Sequence, residues 1–227
     1  MESVSVSTLL PPEVTIEDCQ GDQDIYDLKL KAREKVLLAV GYIESDGWNL
    51  IKDEGGCAFY YKEVEGESLN ITLRKFDIES PMEKVLEKVL DPEMATKTND
   101  RVKESKIIEV IDENSTFLRR EVIGNLIVSN RDMSVFQHII ELTDGSKVLV
   151  TFSHPHEEIP EVSGVVRAEF IVSYTHLKST SETTTSIVNL VHFDPKGSIP
   201  TVLINLLQNK QHEAVIKFKK FLEEDTG

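Results

Sequence analysis

Residues 198–223, SIPTVLINLLQNKQHEAVIKFKKFLE, read as one long amphipathic helix. Ser198-Ile199-Pro200 opens it, and Val202, Leu203, Leu206, Leu207, Ala214, Val215, Phe218, Phe221 and Leu222 fall on one side at helical spacing. At 1.5 Å per residue such a helix is roughly 37 Å long. A stripe of that length needs a broad apolar partner, and the residues before it supply one. Runs with a two-residue period occur at about 106–112, 115–123, 131–142, 146–155, 164–177 and 182–193, separated by turns such as Asp112-Glu113-Asn114 and Thr143-Asp144-Gly145.

Upstream the order is similar in kind. Ile25, Leu28, Ala32, Val36, Ala39, Val40 and Ile43 form the stripe of a first long helix. Three strands follow at about 48–52, 57–64 and 68–76. Ser80-Pro81-Met82-Glu83 predicts a Ser N-cap, a Pro at the first helical position and a capping-box Glu for a short helix, and a second begins near Asp91-Pro92-Glu93. Residues 1–23 are Ser/Thr-rich, then Pro-Pro, then acidic, without a period, and are expected as a flexible arm. The order helix, three strands, two helices, six strands, long helix has no βαβ alternation. It predicts an α+β chain with a curved antiparallel sheet of about nine strands, helices on one side, wrapped around the C-terminal helix. No repeat or linker divides residues 24–224.

Forty acidic against 25 basic residues, net −15, disfavour a nucleic-acid partner and permanent attachment to an anionic membrane, but leave brief membrane contact open. Two cysteines, Cys19 and Cys57, make no disulfide framework or CxxC, which with no signal-like or membrane-spanning run predicts a cytoplasmic protein. No cofactor is expected, because GxGxxG, GxxxxGK[ST], HExxH and GxSxG are all missing. His154-Pro155-His156-Glu157-Glu158 is chemically adequate for zinc, yet without a second ligand cluster it reads as an acidic loop. The lysines at 210, 217, 219 and 220 read as the solvated side of the last helix.

Three motifs stand in order: Ser129-Asn130-Arg131-Asp132, then Gly164-Val165-Val166-Arg167-Ala168-Glu169, then Asp194-Pro195-Lys196-Gly197-Ser198-Ile199-Pro200 before the amphipathic helix. Their order and spacing resemble the START (StAR-related lipid transfer) domain over about residues 25–224. The resemblance implies a helix-grip fold and an intracellular carrier or sensor holding one lipid in an internal tunnel. In the family, the lid consists of the C-terminal helix and the loop between the fifth and sixth strands. That loop is here residues 124–130, whose Leu126, Ile127 and Val128 are apolar where a hairpin loop is normally polar. They are read either as a membrane-inserting segment or as a strand edge folded into the core, and the resemblance favours insertion.

Aligned on Arg131-Asp132, strand parity puts Met133, Val135, Gln137 and Ile139 on the tunnel face. Ala168, Phe170, Val172 and Tyr174 are expected to share a face, as are Ile187, Asn189 and Val191, and Leu203 and Leu207 are expected to face the same tunnel from the last helix. Leu118, Arg120 and Val122 look inward by the same resemblance, and an Arg between aliphatic neighbours calls for an anion or acceptor. The alternative places Arg120 in water, with Arg119 or Glu121 as the residue that matters. Many family members have a Trp followed by an acidic residue where this chain has Thr98-Asn99, and the family's phosphatidylcholine carriers have a phosphate-binding Arg where it has Ala95. Steroidogenic members have an Arg at the position of Gln137. The departures leave a phospholipid favoured over ceramide or sterol. The competing reading is a helix-grip enzyme, cyclase- or hydrolase-like, acting on a hydrophobic substrate through His192, Asp194 and Tyr174. Nothing in the sequence activates a nucleophile, so a non-enzymatic carrier is expected.

Overall fold

The computed structural model describes residues 5–65, 70–125, 128–197, 199 and 213–223. A short helix α1 (Val6–Leu9) and a long helix α2 (Gln23–Glu44) precede strands β1 (Asn49–Glu54), β2 (Cys57–Lys62) and β3 (Ile71–Ile78). Helices α3 (Met82–Leu90) and α4 (Pro92–Thr98) lead to β4 (Val102–Asp112), β5 (Ser115–Val122), β6 (Arg131–Glu141) and β7 (Lys147–Ser153). The two-residue β8 (Val166–Arg167), then β9 (Glu169–Ser179) and β10 (Thr185–Asp194), complete the sheet, and residues 213–223 are helical.

The strands form one open sheet in the order β1-β2-β3-β10-β9-β7-β6-β5-β4, with β8 beside β6. Every pair is antiparallel except β8 with β6. The run expected at 164–177 is thus two strands, because Val166 and Ala168 donate to Asn130 O and Asp132 O before the chain turns to join β7 and β10.

Helices cover both faces, where the element order implied one. Leu28, Ala32, Val36, Ala39 and Val40 of α2 pack on Phe117, Phe136, Val150, Phe152, Val172, Tyr174 and Leu190. A buried Val- or Leu-sized side chain yields about 1.5–3 kcal/mol, so this contact holds α2 firmly on what we term the outer face. Asp22 caps α2, accepting from the backbone N–H of Asp24 and Ile25 at 3.0 Å each. On the opposite, inner face, Val215, Phe218 and Leu222 of the C-terminal helical segment join Met82, Val85 and Leu86 of α3 over Phe59, Phe76, Ile78, Leu177 and Ile187.

Two local expectations need correction. The segment read as a loose arm is anchored from residue 5 onward: Leu10 and Cys19 are buried, Thr143 N–H donates to Leu9 O at 2.9 Å, and Arg33 donates to Pro11 O at 2.6 Å. Ser80 does not cap α3. Pro81 is the N-cap residue, and no side chain caps the helix. Ser80 is instead held by the sheet, its carbonyl accepting from the buried Thr185 hydroxyl at 2.7 Å.

Candidate functional site

Along β6, β7, β9 and β10 the two faces differ in kind. Outer-face residues such as Phe136, Val150, Val172 and Leu190 are fully buried under α2, whereas Gln137, Thr151, Ser173 and Asn189 between them stay partly accessible. The polar residues of the inner face therefore keep partial access to solvent, and most of the nominated side chains among the described residues lie on this face. Met133 and Val135 are buried with Leu118 and Ala168, and Phe170 packs on Phe193 with ring centroids 4.9 Å apart. Met133 is the cross-strand partner of Arg120, and Gln137 that of Thr116.

Tyr174 is not on this face. β9 carries a bulge: His192 opposes Val172 but Phe193 opposes Phe170, leaving Ile171 as an extra residue. The two-residue period breaks there, so Ala168 and Phe170 reach the inner face while Val172 and Tyr174 turn under α2. Burial raises the Tyr174 phenol well above its ordinary pKa. His192 lies on the same outer face against Tyr42, and Asp194 pairs with Lys196 at 2.7 Å. Tyr174 and His192, two of the three residues nominated for acid–base chemistry, thus lie on the outer face.

Arg120 is half-buried on the inner face, beside Leu118 and Val122 of the same strand parity. Its Nε is 3.4 Å from Ser105 Oγ, a marginal contact, and desolvation lowers its pKa. Among the described residues no carboxylate pairs with it. Its sequence neighbours point the other way and are satisfied: Arg119 bonds Glu104 at 2.7 Å and Glu121 at 3.1 Å, while Glu121 also accepts from Lys103 and Asn130.

A second inner-face guanidinium was missed by the sequence reading. Arg74 on β3 donates to Asn189 Oδ1 at 2.7 Å and lies over the Phe59 ring at 5.3 Å, and burial lowers its pKa to about 10. The Asn189 amide donates in turn to Thr175 Oγ1 at 2.9 Å and Tyr174 O at 3.1 Å. Residues 68–76 read only as a strand, and it is the pairing of β3 with β10 that sets Arg74 beside Asn189.

At one end of this face the β5–β6 connection closes on itself. Gly124 N–H donates to Asn130 Oδ1 at 3.0 Å, and Asn125 and Val128 exchange backbone hydrogen bonds at 2.8 and 3.2 Å. Val128 is buried at 9% exposure. Leu126, Ile127, Leu203 and Leu207 lie outside the described residues. In the 154–158 loop, His156 Nε2 is 2.8 Å from Glu109, its ring against Phe117, and no set of three metal-binding side chains forms among the described residues. No described helix is long and apolar enough to cross a membrane.

An open antiparallel sheet with an amphipathic C-terminal helical segment on its inner face defines the helix-grip class. The START domain model matches residues 30–226, and the chain belongs to that family. Human StAR-related lipid transfer protein 5 is similar in structure at 17% identity and a TM-score of 0.74, over 86% of this chain and 94% of that one. Human STARD10 is similar at 20% identity and 0.71, over 96% and 84%. The lipid transfer and protein localization domain of human StarD13 (DLC2) is similar at 20% and 0.67, over 89% and 98%. At these identities the likeness is one of fold. No curated protein matches the chain.

Proposed function

We propose that this protein binds one lipid monomer against the inner face of its sheet, beneath the C-terminal helix, and carries it through the cytoplasm between membranes. Membership of the START family and the lipid-transfer proteins among its structural neighbours support the lipid-binding role. The favoured cargo is a phospholipid, and the observation that carries this choice is Arg120. A half-buried guanidinium with no carboxylate partner among the described residues bears a desolvation cost of several kcal/mol unless a ligand anion offsets it. A phosphate meets it with paired hydrogen bonds. Other apolar groups of the inner face then take hydrocarbon, and membrane contact is brief, through the 124–130 loop.

The test is uptake of fluorescent phospholipid from vesicles by delipidated protein. Arg120→Ala and Arg120→Lys should both weaken phospholipid binding more than binding of a neutral amphiphile of equal chain length, since an ammonium matches the fork geometry poorly. Equal losses for both ligands make Arg120 structural, and no uptake of phospholipid, ceramide or sterol removes the carrier reading.

A further inference from the structure

Thr116 of β5, Gln137 of β6, Thr151 of β7 and Ser173 of β9 form one row across the inner face, each the cross-strand partner of the next. All four are partly accessible, and among the described residues none of their side chains has a hydrogen-bond partner. The flanking rows are mixed, Leu118 and Val135 running on to Ser153 on one side and Ile139 and Leu149 to Thr175 on the other. At about 4.8 Å between strands, the row is an unbroken polar stripe about 14 Å long.

Acyl chain laid over this stripe is unfavourable. Each hydroxyl or amide stripped of water and left unbonded weakens binding by about tenfold, and four lie side by side. Val at the threonine positions would accept hydrocarbon without that cost. The groups present are complementary to hydroxyls instead: Ser and Thr donate and accept through one oxygen, and the Gln amide offers both a carbonyl and an NH₂. Arg120 lies on the same strand and face as Thr116, four residues along, which is about 13 Å between Cα atoms. An arginine side chain plus a phosphate-linked ring spans that interval.

We infer that this row is a hydroxyl-recognition strip and that the cargo is a lipid with a polyol head. The inference rests on the carrier reading above and sharpens it: the phosphate sits at Arg120 and the head's hydroxyls at Gln137 and the flanking hydroxyl side chains. A choline head, without hydroxyls, leaves the row unmatched.

Delipidated protein is offered vesicles containing phosphatidylinositol, phosphatidylcholine of the same acyl chains, or phytoceramide, which has hydroxyls but no phosphate, and the extracted lipid is weighed by mass spectrometry. Phosphatidylinositol should be extracted about tenfold or more in preference to phosphatidylcholine, the scale of one unmatched buried polar group. In Thr151→Val and in Gln137→Leu that ratio should fall toward one, with thermal unfolding reporting the fold. If a variant does not fold, the wild-type ratio alone decides. Equal extraction of the two phospholipids by the wild type, or a ratio unchanged in folded variants, overturns the strip and leaves phospholipid carriage standing. Extraction of phytoceramide alone, lost in the variants, supports the strip and overturns the phosphate role of Arg120. Extraction of none overturns both.

Discussion

Arg167 grips both carboxylate oxygens of Asp132, its Nε 2.8 Å from one and its Nη2 3.0 Å from the other, across 35 residues of sequence. The same guanidinium donates to Ile159 O and Pro160 O, so one ion pair ties the start of β6 to the whole 154–165 connection. Asp132 is fully buried. Asp132→Ala strands Arg167 and should cost about 3–5 kcal/mol in equilibrium urea unfolding. A loss under about 1 kcal/mol would show that the pair is solvated and dispensable.

Acid should weaken the outer face before the carboxylates titrate. His138, bonded to Ser115 Oγ at 2.9 Å and held near Lys29, has its pKa lowered by burial to about 4, and burial also lowers His154 and His176. A base whose folded pKa lies below its unfolded value, here 6.5, stabilises fully above 6.5. That stability is lost as pH falls from 6.5 toward 4. For His138 the loss approaches about 3 kcal/mol by pH 4. Unfolding temperature measured from pH 7 to pH 4 should fall through this window. In His138→Leu the slope should flatten, and an unchanged slope would assign the acid sensitivity elsewhere.

Gly124 has no room for a side chain: a Cβ there would stand 1.9 Å from Val128 O and 2.5 Å from Ser129 O. Gly124→Ala must therefore open the turn that Asn125, Val128 and Asn130 close. Amide hydrogen exchange at Val128 should speed up while the α2 amides stay protected. Exchange as slow as in the wild type would mean that the loop accommodates a methyl without moving.

On the proposed carrier reading, the loop's apolar sequence is its route to the bilayer. Leu126→Asp combined with Ile127→Asp should slow transfer between vesicles while leaving the unfolding free energy from urea titration within about 0.5 kcal/mol of the wild type. A large fall in stability would assign the pair to packing instead.

Periodicity made α2 and the strand order legible, because their apolar residues recur at unbroken spacing. It failed where the backbone changes step. Tyr174 was placed beside Phe170 by counting in twos, and a single inserted residue, Ile171, sends it to the other side. The anchoring of residues 5–22 was illegible for another reason: Leu10 and Cys19 are isolated apolar residues with no period to betray them. The polar row escaped notice except for Gln137. Thr116, Thr151 and Ser173 are ordinary strand residues singly, and only cross-strand pairing lines them up.

The outer-face packing under α2 has a consequence for divergence. Phe136, Phe152, Val172 and Leu190 support the fold from one side of the sheet, while Gln137, Thr151, Ser173 and Asn189 stand between them on the other. On the proposed carrier reading, selection on cargo and selection on foldedness act on alternating letters of the same strands. A lineage can rewrite the odd letters to suit a new lipid while the even ones hold the scaffold, and the bulge at Ile171 marks where that alternation changes phase.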